Sequence, residues 1–465
     1  MPSIVEIQAP AALGAIQAVK KLPSKEANGH SSYIQPNAPS SNSTLEQYVQ
    51  QILQNTGIIT EYLETNGLPQ PSFERDAPES TLPESAPETI RAARVKLMDA
   101  ALKAFQLALG PKEYIPNIAV GLQYIVCLRW LTHFGIFASV PLKGSISYDD
   151  LALAAKVSRK QLKTVARMAM TSALFCEPKP NHLAHTATSA LLVTNESLHD
   201  WAVFMSEGTV PAASKLVEAS ERWPDSEQKN QTAYNIAFNT DLPFFDHLKT
   251  QPDKTRQFAS YMKNVQKSEG TALRHLVNGF DWESLGKATV VDVGGSSGAS
   301  SITLAESFSN LNFIVQDLPE NAAEGQTSIS ALSANIKNRI YFQGHNFFEE
   351  QPFKGAQAYL LRMILHDWPA NEATCILKNL VPALNKGARI LIMDTVLPRP
   401  GTLPSSQERL LRVRDMTMLQ AFNSLERDLE DWKDVLAAAD PRLSIAGVTQ
   451  PAGSVMSMIE VVFDV

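Results

Sequence analysis

The chain has little cysteine. Its three cysteines, Cys127, Cys176 and Cys375, are too few and too scattered for a disulfide scaffold or a zinc site. It also lacks a surplus of positive charge: 41 lysines and arginines against 48 acidic residues leave a net charge of −7. That balance argues against a nucleic acid as the main partner. Long apolar runs are missing as well. The best stretch, residues 118–128, is interrupted by Gln123 and followed by Arg129, which is short of the about 20 residues needed to cross a bilayer. No basic segment precedes an apolar one near residue 1. These absences exclude a disulfide mini-protein and a membrane partner, and they set a reducing, cytoplasmic location as the expectation. What remains is a globular composition, 44% apolar and 19% charged over 465 residues. At roughly 100–200 residues per domain there is room for two or three.

Punctuation divides the chain. Residues 22–43, rich in Ser, Asn and Pro, read as a flexible linker. Ser43-Thr44-Leu45-Glu46 resembles a capping box before a helix with Leu45, Tyr48, Val49, Ile52 and Leu53 at helical spacing. Five prolines in 67–87 suggest a second linker, so 1–85 is expected to be a flexible arm with one helix. Ser85-Ala86-Pro87-Glu88 should open a helix that reaches Gly110 and is stopped by Pro111. Residues 86–195 otherwise read as an apolar helix over 120–137, a helix capped by Ser147, a helix capped by Ser158, and a hairpin turned at Lys179-Pro180-Asn181. That order is winged-helix-like. Residues 196–280 look helical, with frequent aromatics. From 281 onward strands alternate with helices (strands at 288–293, 312–317, 340–343, 358–362 and 389–393), which predicts an α/β fold with a Rossmann-like doubly wound sheet. Two closing strands, 443–449 and 456–463, are joined too briefly to be anything but an antiparallel pair.

Three signals carry chemistry. In Val290-Val291-Asp292-Val293-Gly294-Gly295-Ser296-Ser297-Gly298 an apolar strand runs into a glycine turn and then a helix. Glycine lets a ligand approach the main chain closely. The spacing is not the dinucleotide pattern, and the P-loop lysine is missing. The next strand ends in Asp317, where an acid can accept from both hydroxyls of a ribose. A nucleoside without a pyrophosphate fits the pair. Second, Leu361-Arg362-Met363-Ile364-Leu365-His366-Asp367-Trp368-Pro369 follows the fourth strand. Open α/β sheets bind ligands at the carboxyl ends of their strands, so His366 stands where a general base would act. The other His-Asp-Trp, His199-Asp200-Trp201, lies in a helical stretch and reads as packing. Third, Asp394 ends a strand and Glu426 sits in Leu425-Glu426-Arg427-Asp428.

In this order the motifs resemble the class I S-adenosylmethionine-dependent O-methyltransferases of the plant caffeate and flavonoid type, in the version that filamentous fungi use on aromatic polyketides. The resemblance spans roughly residues 90–465. It implies that His366 deprotonates a substrate hydroxyl. It implies that Asp394, 28 residues later (394 − 366), orients that His, and that Glu426 is a second acid. The family usually has Glu at the position of Asp394. It implies that S-adenosylmethionine is held by Asp292, Gly294, Gly295, Gly298, Asp317, Asn346, Phe347 and Arg362, with S-adenosylhomocysteine as product. Asn346 and Arg362 stand where members often carry Asp and Lys. A small aromatic substrate would meet Trp368, Met418, Met363, Phe245 and Met262. No metal is expected. The N-terminal helices imply a homodimer.

Two rivals follow from the same residues. Some fungal members bind the cofactor yet catalyse dehydration or pericyclic rearrangement, and these tend to lose the His that this chain keeps. A DNA-binding regulator could use Lys156, Arg159, Lys160, Lys163 and Arg167, but would not need the His–acid constellation.

Overall fold

The computed structural model describes residues 44–464, so the linker expected at 22–43 lies outside the described residues. Thr44, one residue later than expected, caps the first helix. Its hydroxyl accepts from the Gln47 amide at 3.4 Å, and the Gln47 side chain accepts from the Thr44 amide at 2.8 Å. The helix Leu45–Thr65 then packs Ile59 and Leu63 against Ala93 of the helix Glu88–His133. The proline-rich stretch between them has no helix or strand, yet Leu68 and Leu82 pack on the same cluster. Pro87 begins the long helix without a side-chain cap, so the expected Ser85 box does not form.

Pro111 does not stop that helix. Gly110 breaks it at φ +67°, ψ 165°, and Pro111 opens its continuation to His133. A proline is tolerated in the first turn after a break because its missing N–H has no helical partner there. Ser147 caps the helix Tyr148–Ala155 through the Asp150 amide at 3.1 Å, whereas Ser158 precedes Arg159–Met170 without a side-chain bond. The expected hairpin gains a strand. β1 (Ile146–Ser147), β2 (Phe175–Lys179) and β3 (His182–His185) form a small antiparallel sheet in the order β1-β3-β2. Three of the five basic residues here are engaged within the chain: Arg159 with Asp149 at 2.6 Å, Arg167 with Glu177 at 2.9 Å and Lys163 with Asn181 at 2.7 Å.

The second part is one seven-stranded sheet. Its strands are β4 (Ala288–Val293), β5 (Leu311–Asp317), β6 (Ile340–Gly344), β7 (Ala358–Arg362), β8 (Arg389–Asp394), β9 (Leu443–Thr449) and β10 (Ser457–Phe463). The order is β6-β5-β4-β7-β8-β10-β9. Strands β4 to β8 are parallel, and β10 lies antiparallel to both β8 and β9. Helices cover both faces, which is why the central strands β4, β7 and β8 are nearly continuous apolar runs. Successive residues of one strand feed two cores. Val291, Tyr359, Leu361 and Ile392 pack with Trp432 on one face; Val290, Phe313, Leu360 and Leu391 pack with Trp282 on the other. The direction of winding reverses between β4 and β7, and the crevice outside their carboxyl ends is where such sheets take ligands.

Residues 196–280 form short helices, with a π-turn at Met205–Thr209. The second His-Asp-Trp is packing, as expected: Asp200 is buried on the helix Glu196–Phe204 and accepts from Arg256 at 2.5 Å and Ser260 at 2.9 Å. Among the described residues no helix is long and apolar enough to cross a membrane.

Candidate active site

The glycine turn leaves β4 at the switch point. The amides of Gly294 and Gly295 both donate to the Gln316 carbonyl, at 2.8 and 3.0 Å, which closes the turn onto β5. Gly294 takes φ +72°, and a Cβ there would stand 2.6 Å from Ile364 Cδ1. Ser296 also takes a positive φ, and its amide donates to Asp317 Oδ2 at 2.8 Å. Asp317 Oδ1 accepts from the Leu318 amide and from Asn321 Nδ2. The carboxylate at the end of β5 is thereby fixed against the turn. Behind it Asp292 is buried and accepts from Ser301 Oγ at 2.7 Å. Burial, opposed by that bond, pushes its carboxyl up to about 6.

Phe347 lies 3.6 Å from the Cβ position of Gly294, so an aromatic face borders the turn. Asn346 closes its own loop: its side-chain oxygen accepts from the Phe348 amide at 3.1 Å. Arg362 is buried at the end of β7 and donates to the Thr271 carbonyl at 2.6 Å. Burial lowers its pKa, while Asp292 and Asp394 oppose that shift. A glycine cradle, a fixed carboxylate and a flat aromatic face fit an adenosyl group.

The chain leaves β7 through Met363, whose φ is +56°, into the short turn Leu365–Asp367. Side chains from residues 424–427 grip this turn by its carbonyls. Ser424 Oγ lies 2.6 Å from the His366 carbonyl and 2.8 Å from that of Trp368. Arg427 donates to the carbonyls of Leu365 at 2.7 Å and Trp368 at 2.8 Å. His366 Nδ1 is 3.0 Å from Glu426 Oε1, and the Glu426 amide donates to Asp415 at 3.1 Å. Nδ1–H therefore donates to Glu426, which leaves Nε2 as the basic nitrogen. Asp367 Oδ1 lies 3.6 Å from Nε2, too far for a hydrogen bond.

The acid bonded to the His366 ring is Glu426 and not Asp394. Asp394 is 1% exposed and makes no side-chain hydrogen bond. Electrostatically the four groups act together. Burial disfavours the imidazolium of His366, but the carboxylates of Glu426, Asp367 and Asp394 outweigh it and push the pKa up to about 10. Burial raises Asp394 to about 7 and Asp367 to about 6. Burial also acts to raise Glu426, but the imidazole overcomes it and holds the carboxyl low.

The substrate candidates divide. Phe245 stands 6.4 Å from Trp368 and 5.3 Å from Phe422, and Met418 packs in the same aromatic cluster. Trp368 also meets Phe348 at 4.8 Å, and Lys229 lies 5.1 Å over its ring. Met363 packs instead into a sheet core, and Met262 is half-buried outside the aromatic cluster. Sequence reasoning missed Ser424 and Arg427. The only signal was the adjacency of Arg427 to Glu426, and an arginine with such neighbours reads as a surface charge.

Sheet order, glycine turn and His–Glu pair define an enzyme of the methyltransferase fold. Residues 224–440 match the O-methyltransferase domain family. The O-methyltransferase aoiF of Aspergillus oryzae is 49% identical over 418 residues, 90% of this chain and 99% of that protein. The solved structure of OxaC in complex with sinefungin and meleagrin aligns with a TM-score of 0.69 at 21% identity, over 90% of this chain and 99% of the other. The LepI complex with SAM gives 0.65 at 23%, over 90% and 100%. The chain belongs to the S-adenosylmethionine-dependent O-methyltransferases of fungal secondary metabolism.

Proposed function

We propose that this enzyme methylates a phenolic hydroxyl of an aromatic, polyketide-like metabolite, with His366 as general base. The observation that carries the reading is the His366–Glu426 bond of 3.0 Å beside an aromatic wall, at the carboxyl end of β7. S-adenosylmethionine supplies an electrophilic methyl group on a sulfonium. A phenol has a pKa of about 10 and is mostly protonated at neutral pH, so a base must take its proton. His366 Nε2 accepts that proton, and Glu426 holds Nδ1–H and stabilises the imidazolium that results. Trp368, Phe245, Phe422 and Met418 hold a flat ring and keep water out. Gly294, Gly295, Asp317 and Phe347 hold the nucleoside end of the donor, with Asp292, Gly298, Asn346 and Arg362 shaping the site around it. Retention of the His–acid pair favours methyl transfer over a rearrangement that uses the cofactor without demethylating it. The reduced cysteines suit a cytoplasmic setting.

The test is labelled-methyl transfer to a panel of phenolic polyketides. Transfer is expected to acceptors with a free phenol and to be absent from the same compounds with every hydroxyl already methylated. Tight S-adenosylhomocysteine binding with no transfer to any phenol would sink the reading.

We also propose a homodimer. Phe105, Ile115, Ile118 and Leu122 on the helix Glu88–His133, and Leu410 and Val413 on the helix Ser405–Phe422, are 53–69% exposed. The two helices meet where Asp99 accepts from the Ser406 amide at 3.2 Å. Apolar surface on this scale marks an interaction face. Light scattering should give a dimer for the wild type and a monomer for Ile118→Asp/Leu122→Asp; a wild-type monomer refutes the assignment.

A further inference from the structure

The helix Ser405–Phe422 buries Leu411, Met418, Ala421 and Phe422. Arg414 stands three residues after Leu411 and four before Met418, so it lies on the same face. It is half-buried there. An arginine on the buried side of a helix is ordinarily paired. Its neighbours are: Arg412 holds Glu408 at 3.2 Å and the Pro398 carbonyl at 2.8 Å, and Arg427 holds the carbonyls of Leu365 and Trp368. Arg414 makes neither a hydrogen bond nor an ion pair among the described residues.

This unused guanidinium borders the candidate site. The next residue, Asp415, accepts the Glu426 amide at 3.1 Å, which ties this turn of the helix to the acid bonded to His366. Met418, one turn on, packs in the aromatic cluster with Phe245 and Phe422. The same cluster reaches Tyr261 on the helix Pro252–Lys267, which stacks on Phe204 at 5.3 Å and lies 6.0 Å from Phe258. The Tyr261 hydroxyl has no hydrogen-bond partner among the described residues either. Burial raises the Tyr261 pKa, with Arg414 opposing and Asp367 and Glu426 adding to the rise. At Glu426 burial acts upward, and His366 and then Arg414 act downward. Two uncommitted donors from two helices thus stand near the acids of the site.

The group that best matches a free guanidinium is planar and offers two oxygens, as a carboxylate does. The nearest acids of the chain are engaged otherwise: Glu426 bonds His366, and Asp415 bonds the Glu426 amide. The nucleoside end of the donor belongs to the turn closed by Gln316 and Asp317, away from this helix in the chain. We propose that Arg414 selects acceptors that carry an anionic, carboxylate-type group besides the hydroxyl to be methylated, with Tyr261 donating to the same group. This rests on the proposed phenol methylation and narrows its acceptor class. Glu426 and Asp367 repel such an anion, so it needs a cation of its own to enter. A neutral phenol leaves the guanidinium without a partner, and a site built to bond a polar group discriminates against the analogue that lacks it.

The experiment titrates the S-adenosylhomocysteine complex at neutral pH with a hydroxynaphthoic acid and with its neutral carboxamide, which keeps the shape and the phenol. The wild type should bind the acid tighter by about tenfold or more, the usual worth of a charge-assisted pair, and added salt should shrink the difference. Arg414→Gln should erase the preference and Arg414→Lys should keep part of it, with S-adenosylhomocysteine affinity retained in both. Tyr261→Phe should weaken binding of the acid by a smaller factor. Equal binding of acid and carboxamide by the wild type, or binding of neither, overturns the proposal, and that comparison needs no variant to fold. A preference that survives in Arg414→Gln overturns it as well. So does an Arg414→Gln enzyme that loses S-adenosylhomocysteine affinity while keeping its preference, since the guanidinium then serves the donor's own carboxylate, or one that loses only the dimer. Labelled-methyl transfer to the same pair separates the two readings. Transfer to both at equal kcat/KM overturns acceptor selection and leaves phenol methylation standing. Acid-selective binding with transfer to neither upholds the anion site and sinks phenol methylation.

Discussion

His366→Ala is expected to bind S-adenosylhomocysteine as the wild type does and to lose about 10²–10⁴-fold in methyl transfer, the usual contribution of a positioned base. Binding should survive because the imidazole bonds to Glu426, whereas the glycine turn is closed by Gln316 and Asp317 from β5. Transfer should fail because removing the ring removes the nitrogen that receives the proton. The pH dependence has a fixed sign. The base must be neutral, and the carboxylates around it push its pKa up to about 10, so wild-type transfer rises with pH; the residual rate of the variant rises only as the phenol itself ionises and stays far below wild type at neutral pH. Stability moves the other way. The folded pKa lies above the ordinary 6.5, so the stabilisation from this group is complete below pH 6.5 and is lost as pH rises through about 10. Calorimetric titration and labelled-methyl transfer on the two proteins decide the matter. A variant that still transfers methyl at the wild-type rate dismisses His366 as the base.

Arg427→Leu is the substitution with the largest expected cost to the fold of the site. The guanidinium is 2% exposed, bonds the carbonyls of Leu365 and Trp368, and lies 5.3 Å over the Trp432 ring. Leucine fills part of the space but donates nothing; the Leu365 carbonyl keeps only the Trp368 amide at 3.3 Å and the Trp368 carbonyl only Ser424 at 2.8 Å, and each hydrogen bond lost from the guanidinium costs about 1–3 kcal/mol. The sum is a loss of roughly 2–5 kcal/mol, read as a lowered midpoint in denaturant unfolding. Transfer should fall even where the variant remains folded, since the turn that carries His366 and Trp368 has lost one of its two clamps. Arg427→Lys should recover only part of this, because a point ammonium does not reproduce a fork aimed at two carbonyls. A leucine variant as stable as wild type would assign the turn's rigidity to Ser424 alone.

The strands were the most legible part of the sequence. β4 and β7 have the bounds read from sequence, because a strand buried on both faces is an uninterrupted apolar run between polar turns; the edge strand β9 also has the expected bounds, though most of its residues are exposed or half-exposed. The long helix was misjudged at Pro111 because a proline after a glycine signals an end; it equally suits a restart, and only the backbone at Gly110 distinguishes the two. Motif order pointed to His366, Asp394 and Glu426, and the structure brings these three side chains into one buried cluster. Which acid bonds the imidazole was not legible, since spacing along the chain does not give the distance between side chains. Asn346 has a suitable acceptor oxygen, but that oxygen closes its own loop. Ser424 and Arg427 were hidden for a different reason: they act across 56–62 residues of sequence, and nothing local distinguishes them from solvated neighbours.

The clamp on the turn Leu365–Asp367 engages main-chain atoms throughout. Carbonyls of residues 365, 366 and 368 are held by Ser424 and Arg427, so no bond in the clamp consults the identity of the side chains that the turn displays. The Trp368 side chain is thereby released from supporting the base. On the proposed function, acceptor choice can drift at that position over evolutionary time, or be redesigned at the bench, while His366 and Glu426 stay in register.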